Sequence, residues 1–187
     1  RPIADAGDKS SARAVAALLG DPDPAVREAA GEACARMPEA AEKALFGLLR
    51  RGTPLQKIEA ATAIRKAAYR PAVPLLVEVI RDPLPEVRLS AAAALMVVSG
   101  PEVVEALVNG LRDPQIRWVC ILGLRQVGTP AVPILLRRTG DPEFDFWKQH
   151  VLAGMGEKAI EGCVETLDRE KDAATRSAAL CTLEQIR

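Results

Sequence analysis

Small and apolar residues recur along the chain at helical spacing, and the recurrence itself repeats. Six times a short motif opens a new stretch: Asp23-Pro24-Ala25-Val26-Arg27, Thr53-Pro54-Leu55-Gln56-Lys57, Leu84-Pro85-Glu86-Val87-Arg88, Asp113-Pro114-Gln115-Ile116-Arg117, Asp141-Pro142-Glu143-Phe144-Asp145 and, without the proline, Asp172-Ala173-Ala174-Thr175-Arg176. The anchors at 26, 56, 87, 116, 144 and 175 stand 28 to 31 residues apart. A near-constant period of this length is the mark of a solenoid.

Each motif predicts a helix start. Asp or Thr accepts hydrogen bonds from the free N–H groups of the first turn, and proline suits the next position because its missing N–H has no partner there. After the anchor, small or apolar residues fall at +4, +7, +8 and +11, as in Ala30, Ala33, Cys34 and Met37, or Ala91, Ala94, Leu95 and Val98. That spacing is one buried helix face. Before each motif lies a second apolar segment, such as Val73 to Ile80, Val103 to Leu111 or Val132 to Leu136. Each unit is therefore a helix pair. Pro74 and Pro133 fit first turns, and Gly100, Gly128 and Gly156 fit left-handed caps after the second helices. No stretch reads as a strand.

On these residues the chain resembles HEAT repeats, in particular the bacterial type found in phycobilisome (PBS) lyase-like proteins. Asp82-Pro83-Leu84-Pro85-Glu86-Val87-Arg88 with Ala91, Ala94 and Leu95 is similar to that family's repeat core, and Asp21 to Arg27 is a second such copy. The resemblance covers roughly residues 11 to 187. It implies an all-α, right-handed α-solenoid of about six HEAT-like helix pairs, with second helices on the concave side. The units run approximately 11–38, 41–69, 71–99, 101–128, 130–156 and 157–187, as one repeat domain over 1–187. Residues 1–10 are too short for a further unit, and the last helix reaches Arg187 with no glycine cap, so the ends are expected to be those of a piece of a longer protein.

Charge narrows the function classes. Lys and Arg together number 25, as do Asp and Glu, so no global basic field exists to hold a nucleic-acid backbone. No apolar run has the length of a membrane span and nothing at the start reads as a signal peptide, which leads to an expected cytoplasmic location without nucleic-acid or membrane partners. Cys34, Cys120, Cys163 and Cys181 have no CxxC spacing; Cys34 and Cys120 fall on the buried face as small core residues. No cofactor and no metal is expected. The basic residue at +1 (Arg27, Lys57, Arg88, Arg117, Arg176) reads as a ladder to loop carbonyls and capping aspartates, because it recurs with the fold itself.

Function is sought where units break the pattern. The outward positions of each second helix, taken as +2, +5, +6 and +9, read Glu28, Ile58, Leu89, Trp118, Phe146 and Ser177 at +2. Ala92, Ala93, Met96, Ile121 and Leu122 add further apolar outward positions, and Arg65, Arg125, Gln149 and His150 a polar margin. The candidate partner-binding residues are Leu89, Met96, Trp118, Leu122, Arg125, Phe146, Trp147 and His150. They point to a non-catalytic scaffold that binds a protein or peptide on the concave face. The competing possibilities are that these side chains bury one another, or that a further part of the chain or a second copy covers them. The resemblance suggests an alternative, a bilin lyase-like component acting on a phycobiliprotein-type partner, for which the residues offer only His150, Cys181 and scattered carboxylates. His150 and Cys181 share the +6 position one unit apart. Lys148 occupies a +4 slot filled by Ala or Cys elsewhere, so either its helix is rotated or the lysine reaches Asp145.

Overall fold

In a computed structural model, which describes residues 9–98, 100–138 and 141–186, the chain is all-α. The ends read above as cut, residues 1–8 and 187, lie outside the described residues. The helices are α1 Lys9–Ala17, α2 Pro24–Arg36, α3 Pro38–Arg51, α4 Pro54–Ala67, α5 Val73–Val79, α6 Pro85–Leu95, α7 Pro101–Gly110, α8 Arg117–Val127, α9 Val132–Leu136, α10 Pro142–Met155, α11 Glu157–Arg169 and α12 Ala173–Ile186. These are the six pairs of the repeat pattern, with 3-10 turns at Leu18–Gly20, Arg70–Ala72 and Thr129–Ala131. No strand occurs among the described residues. No single helix among them is long and apolar enough to cross a membrane.

The motif starts helices as its chemistry requires in four of its copies. Asp23 accepts from the Ala25 N–H, Asp141 from the Phe144 N–H and Asp172 from the Thr175 N–H. Thr53 and Gln56 form a reciprocal capping box. Two copies depart from the expectation. At α6 the N-cap is Leu84, whose side chain cannot cap, and Asp82 two residues earlier accepts the Leu84 N–H at 3.0 Å outside the helix. At α8 the proline is not in the helix at all. Asp113 accepts from the Gln115 N–H at 2.9 Å, and the Ile116 N–H closes on the Asp113 carbonyl at 3.2 Å. This local turn competes with helix geometry, so α8 begins at Arg117.

Helix ends follow the glycines in part. Gly128 and Gly156 take positive φ, 73° and 57°, but with ψ −136° and −125° they lie outside the left-handed helical region expected of them. Gly100, expected to be left-handed, is extended at φ 161°. The left-handed residue at the end of α4 is Ala68, at φ 47° and ψ 41°.

The helices form two compact units that divide after Val98. In the first, α2, α4 and α6 lie side by side and α1, α3 and α5 pack against them. Leu19, Leu45, Leu49, Ile64, Leu76 and Leu95 are fully buried there, each contributing on the order of 2 kcal/mol of hydrophobic stabilisation. The alanine faces permit the close approach: Ala60, Ala61, Ala63, Ala91, Ala92 and Ala94 have no exposed surface. In the second unit α8, α10 and α12 lie side by side, with α7, α9 and α11 against them. Leu107, Leu111, Ile116, Ile121, Leu124 and Phe144 form its centre.

This side-by-side packing corrects one element of the periodicity reading. The +5 residues Ala92 and Ile121, expected outward, are 0% exposed. A second helix has neighbouring second helices as well as its own first helix, so its buried arc is wider than one amphipathic stripe and +5 falls inside it.

Candidate functional site

The outward face of α8 and α10 concentrates the aromatic residues of a chain that has few. Both tryptophans, one of three phenylalanines and the only histidine lie there. Trp118 at +2 of α8 is 58% exposed, Phe146 at +2 of α10 is 63% exposed, and Leu122 is 40% exposed. His150 is also exposed, and Trp147 is half-buried. One turn of α10 separates Phe146 and Trp147 from His150, and α8 lies alongside. The His150 ring therefore sits between two indoles, 6.5 Å from Trp118 and 5.9 Å from Trp147 between centroids. Trp147 meets His150 edge-on at 87° and Phe146 edge-on at 85°, the arrangement that ring quadrupoles favour.

Two arginines hold this cluster in place. Arg117 carries its guanidinium carbon 4.5 Å from the centroid of the Trp147 ring. Its Nε donates to the Leu111 carbonyl at 2.6 Å and its Nη2 to Glu143 at 2.7 Å. Arg125 is half-buried, and its Nη2 donates to the His150 carbonyl at 2.9 Å. The Arg125 guanidinium lies directly against Gly154, on the space a side chain there would take. Its Nε is buried without a hydrogen-bond partner. Arg125 thus belongs to the margin by position but is turned onto α10.

The remaining candidates lie in the first unit. Leu89 is 42% exposed on α6 and Met96, at its C-terminal end, is half-buried. Full self-burial does not describe this set: Ile121 is enclosed, whereas Leu89, Trp118, Leu122 and Phe146 remain open. The role of Arg117 as a platform for Trp147 was missed, because the ladder motif assigns it loop carbonyls and capping aspartates, not an aromatic ring. Gly154 was missed too, since one helical glycine carries no signal of what lies above it.

The basic ladder forms as expected. Arg27 donates to the Asp21 and Pro22 carbonyls, Arg88 to the Asp82 and Pro83 carbonyls, and Arg176 to the Leu167 and Glu170 carbonyls. Lys57 reaches the carboxylate of Asp82 in the next unit. Arg27 and Arg117 also meet carboxylates one unit on, Glu59 and Glu143.

Lys148 resolves to the second of its two alternatives. It is 4% exposed, and its Nζ donates to Asp145 at 2.6 Å and to the Arg138 carbonyl at 3.1 Å. Cys34 and Cys120 are core residues, and burial pushes their thiols up to about 11 and about 12; Cys163 is likewise raised by burial to about 11. Thiols so raised are poor nucleophiles near neutrality. Cys181 is exposed and lines a groove between α10 and α12 with Phe146, Gln149 and Gln185, whereas the ring neighbours of His150 are Trp118 and Trp147. Among the described residues no three His, Cys, Asp or Glu side chains converge as a metal site.

Known proteins place this architecture. The HEAT-repeat family model matches residues 42–119. Among curated proteins, none matches the sequence. The complex of CpcE and CpcF of phycocyanin lyase from Nostoc sp. PCC7120 contains a chain of 22% identity, TM-score 0.55, with 94% of this chain and 76% of that one covered. An engineered protein aligns at 20% identity and TM-score 0.51, over 94% of this chain and 96% of the other. A designed armadillo repeat protein in complex with the peptide (KR)4 aligns at 17% identity and TM-score 0.50, over 94% and 99% of the two chains. At these identities the likeness is one of fold: a helical-repeat solenoid.

Proposed function

We propose that this chain, whose residues 42–119 carry HEAT repeats, is a non-catalytic scaffold that binds a protein or peptide partner through the outward face of its second helices. The observation that carries the reading is the open aromatic cluster. Trp118 and Phe146 leave 58% and 63% of their surface to solvent, although exposed large aromatics cost solubility and nothing in the repeat pattern requires them. Trp147 and His150 complete the surface, Leu122 extends it along α8, and Arg125 braces its margin. Aromatic side chains held rigid by neighbours are the usual energetic centre of an interface, since they bury much area at little entropic cost. Leu89 and Met96, on α6 of the first unit, are proposed as contacts of that unit's own second-helix face.

The test is binding by Trp118→Ala and Phe146→Ala. Each is expected to keep its helical circular dichroism and weaken capture of a purified partner by tenfold or more, about 1.4 kcal/mol or above. Loss of folding without a change in binding per folded molecule would sink the reading. The lyase-like alternative rests on the fold likeness to the CpcE–CpcF complex. Co-expression with a bilin and a phycobiliprotein subunit is expected to give no coloured adduct, and a coloured adduct would favour the alternative.

A further inference from the structure

Arg125 carries a charge that the free chain leaves half satisfied. Among the described residues its Nε is the one buried side-chain nitrogen or oxygen with no hydrogen-bond partner. A guanidinium keeps its charge at any ordinary pH, and a buried donor of a charged group is costly to leave unpaired. Arg27, Arg112 and Arg117 also cross to the next repeat pair, and each meets a carboxylate there: Glu59, Asp141 and Glu143. Arg125 crosses from α8 to α10 and finds only the His150 carbonyl, with no ion pair among the described residues. Its place there is made by Gly154. Glycine is unfavourable inside a helix, and here the missing side chain is the space that the guanidinium occupies. The other fixed charges of α8 and α10 are paired, Arg117 with Glu143 and Lys148 with Asp145. One uncompensated positive charge is left on the two helices, and it is that of Arg125.

We propose that Arg125 is the carboxylate-binding residue of the aromatic face, and that the partner is a peptide segment carrying an Asp or Glu beside an apolar side chain. The inference rests on the scaffold reading above. Trp118, Leu122 and Arg125 stand at i, i+4 and i+7 of α8 and so share one stripe. Two helical turns, about 10 Å, separate the first from the last. The apolar side chain of the partner covers Trp118 and Leu122, and its carboxylate lies that distance farther along α8. A carboxylate accepts two parallel N–H bonds from one edge of a guanidinium, which supplies the acceptor that Nε lacks. Rotation of the side-chain torsions lifts the guanidinium off Gly154 toward the open margin. The His150 carbonyl that it leaves stays bonded within α10. Charge complementarity selects the acid: a neutral or cationic segment would leave both Nε and the unpaired charge as they are.

The experiment selects binders from a phage-displayed library of random peptides on the wild-type chain, with counter-selection on Trp118→Ala. The Trp118-dependent peptides are expected to carry an Asp or Glu at a fixed spacing from an apolar residue. Replacing that acid by its amide in one synthetic peptide should weaken binding to the wild-type chain at least tenfold. The same replacement should cost less than twofold on Arg125→Met, whose helical circular dichroism reports that it is folded. Nitrogen-edited NMR of the wild-type chain gives a readout that needs no variant. The Arg125 Nε proton should shift on saturation with the acidic peptide and stay in place with the amide peptide. Trp118-dependent binders without a fixed acid, an acid whose loss costs as much on Arg125→Met, or an unmoved Nε proton would each overturn the inference and leave the scaffold reading standing. A library that yields no Trp118-dependent binder would overturn both.

Discussion

The guanidinium carbon of Arg117 stands 4.5 Å from the centroid of the Trp147 ring while the same side chain donates to the Leu111 carbonyl and to Glu143. One residue thereby ties the loop before α8 to α10 and fixes an indole beneath the candidate binding surface. Arg117→Met keeps the length of the stem and removes the charge. It is expected to cost about 2 kcal/mol, from one cation–π contact and two charged hydrogen bonds of which one is largely exposed. The check is urea unfolding, followed by tryptophan emission. A red shift of the native emission should accompany the loss, and an unaltered emission spectrum would show that Trp147 is held without Arg117.

Lys57 Nζ lies 2.6 Å from Asp82 Oδ2, with the Asp82 side chain only 7% exposed. Burial by itself would raise the Asp82 carboxyl, but the Lys57 ammonium and the Leu84 N–H outweigh it and hold the group below the ordinary carboxylate range. A group with a depressed folded pKa stabilises the protein above its unfolded pKa, and that contribution is lost as pH falls through the folded value. Asp82→Ala is therefore expected to lose about 2 kcal/mol near neutrality, where a partly buried ammonium and the Leu84 N–H lose their acceptor. The difference from wild type should shrink below the usual carboxylate pKa. Denaturation midpoints measured from neutral to strongly acidic pH decide it; a gap that stays constant with pH would rule the linkage out.

Gly162 is the seat of Val132, and helix propensity argues for replacing it. Alanine would gain about 1 kcal/mol in the middle of α11. The Cβ, however, would lie 2.5 Å from both Cβ and Cγ2 of Val132, and a valine is too stiff at χ1 to yield. Overpacking of this kind costs about 1 to 3 kcal/mol. A net loss is expected for Gly162→Ala, with Val132→Ala restoring part of it in the double variant. A thermal melt of the single and double variants reads both signs.

Ala68 offers the opposite case. It is left-handed and exposed at the end of α4, where an L side chain costs about 1 to 2 kcal/mol. Glycine removes that cost and gives back about 0.4 to 1 kcal/mol through the freer unfolded chain. Ala68→Gly is expected to raise stability by about 0.5 to 1 kcal/mol, a melting shift of about 2 °C for a chain of this size. An unchanged or lowered midpoint would contradict it.

These positions separate what was legible in the sequence from what was not. The helix pairs were legible because capping and periodicity are local: Thr53 with Gln56, or Ala91 with Ala94 and Leu95, need only their own helix to reveal them. The fourth start was misread because Asp113 and Pro114 also satisfy a turn, and the choice between turn and helix depends on loop length. The outward positions were half legible. Trp118, Leu122 and Phe146 are open as the spacing suggested, whereas Ala92 and Ile121 are closed by helix neighbours that a single-helix projection does not contain.

The sequence by itself determined the all-α repeat, its period, four of its six N-caps and the residues that depart from the pattern, because those follow from backbone hydrogen bonding and 3.6-residue periodicity within each segment. Tertiary structure alone decided that His150 lies between Trp118 and Trp147, that Arg117 supports one indole and that Arg125 turns onto Gly154. Those are contacts between helices about 28 residues apart in the chain, set by how closely small side chains let neighbouring helices approach, and no local rule encodes that distance.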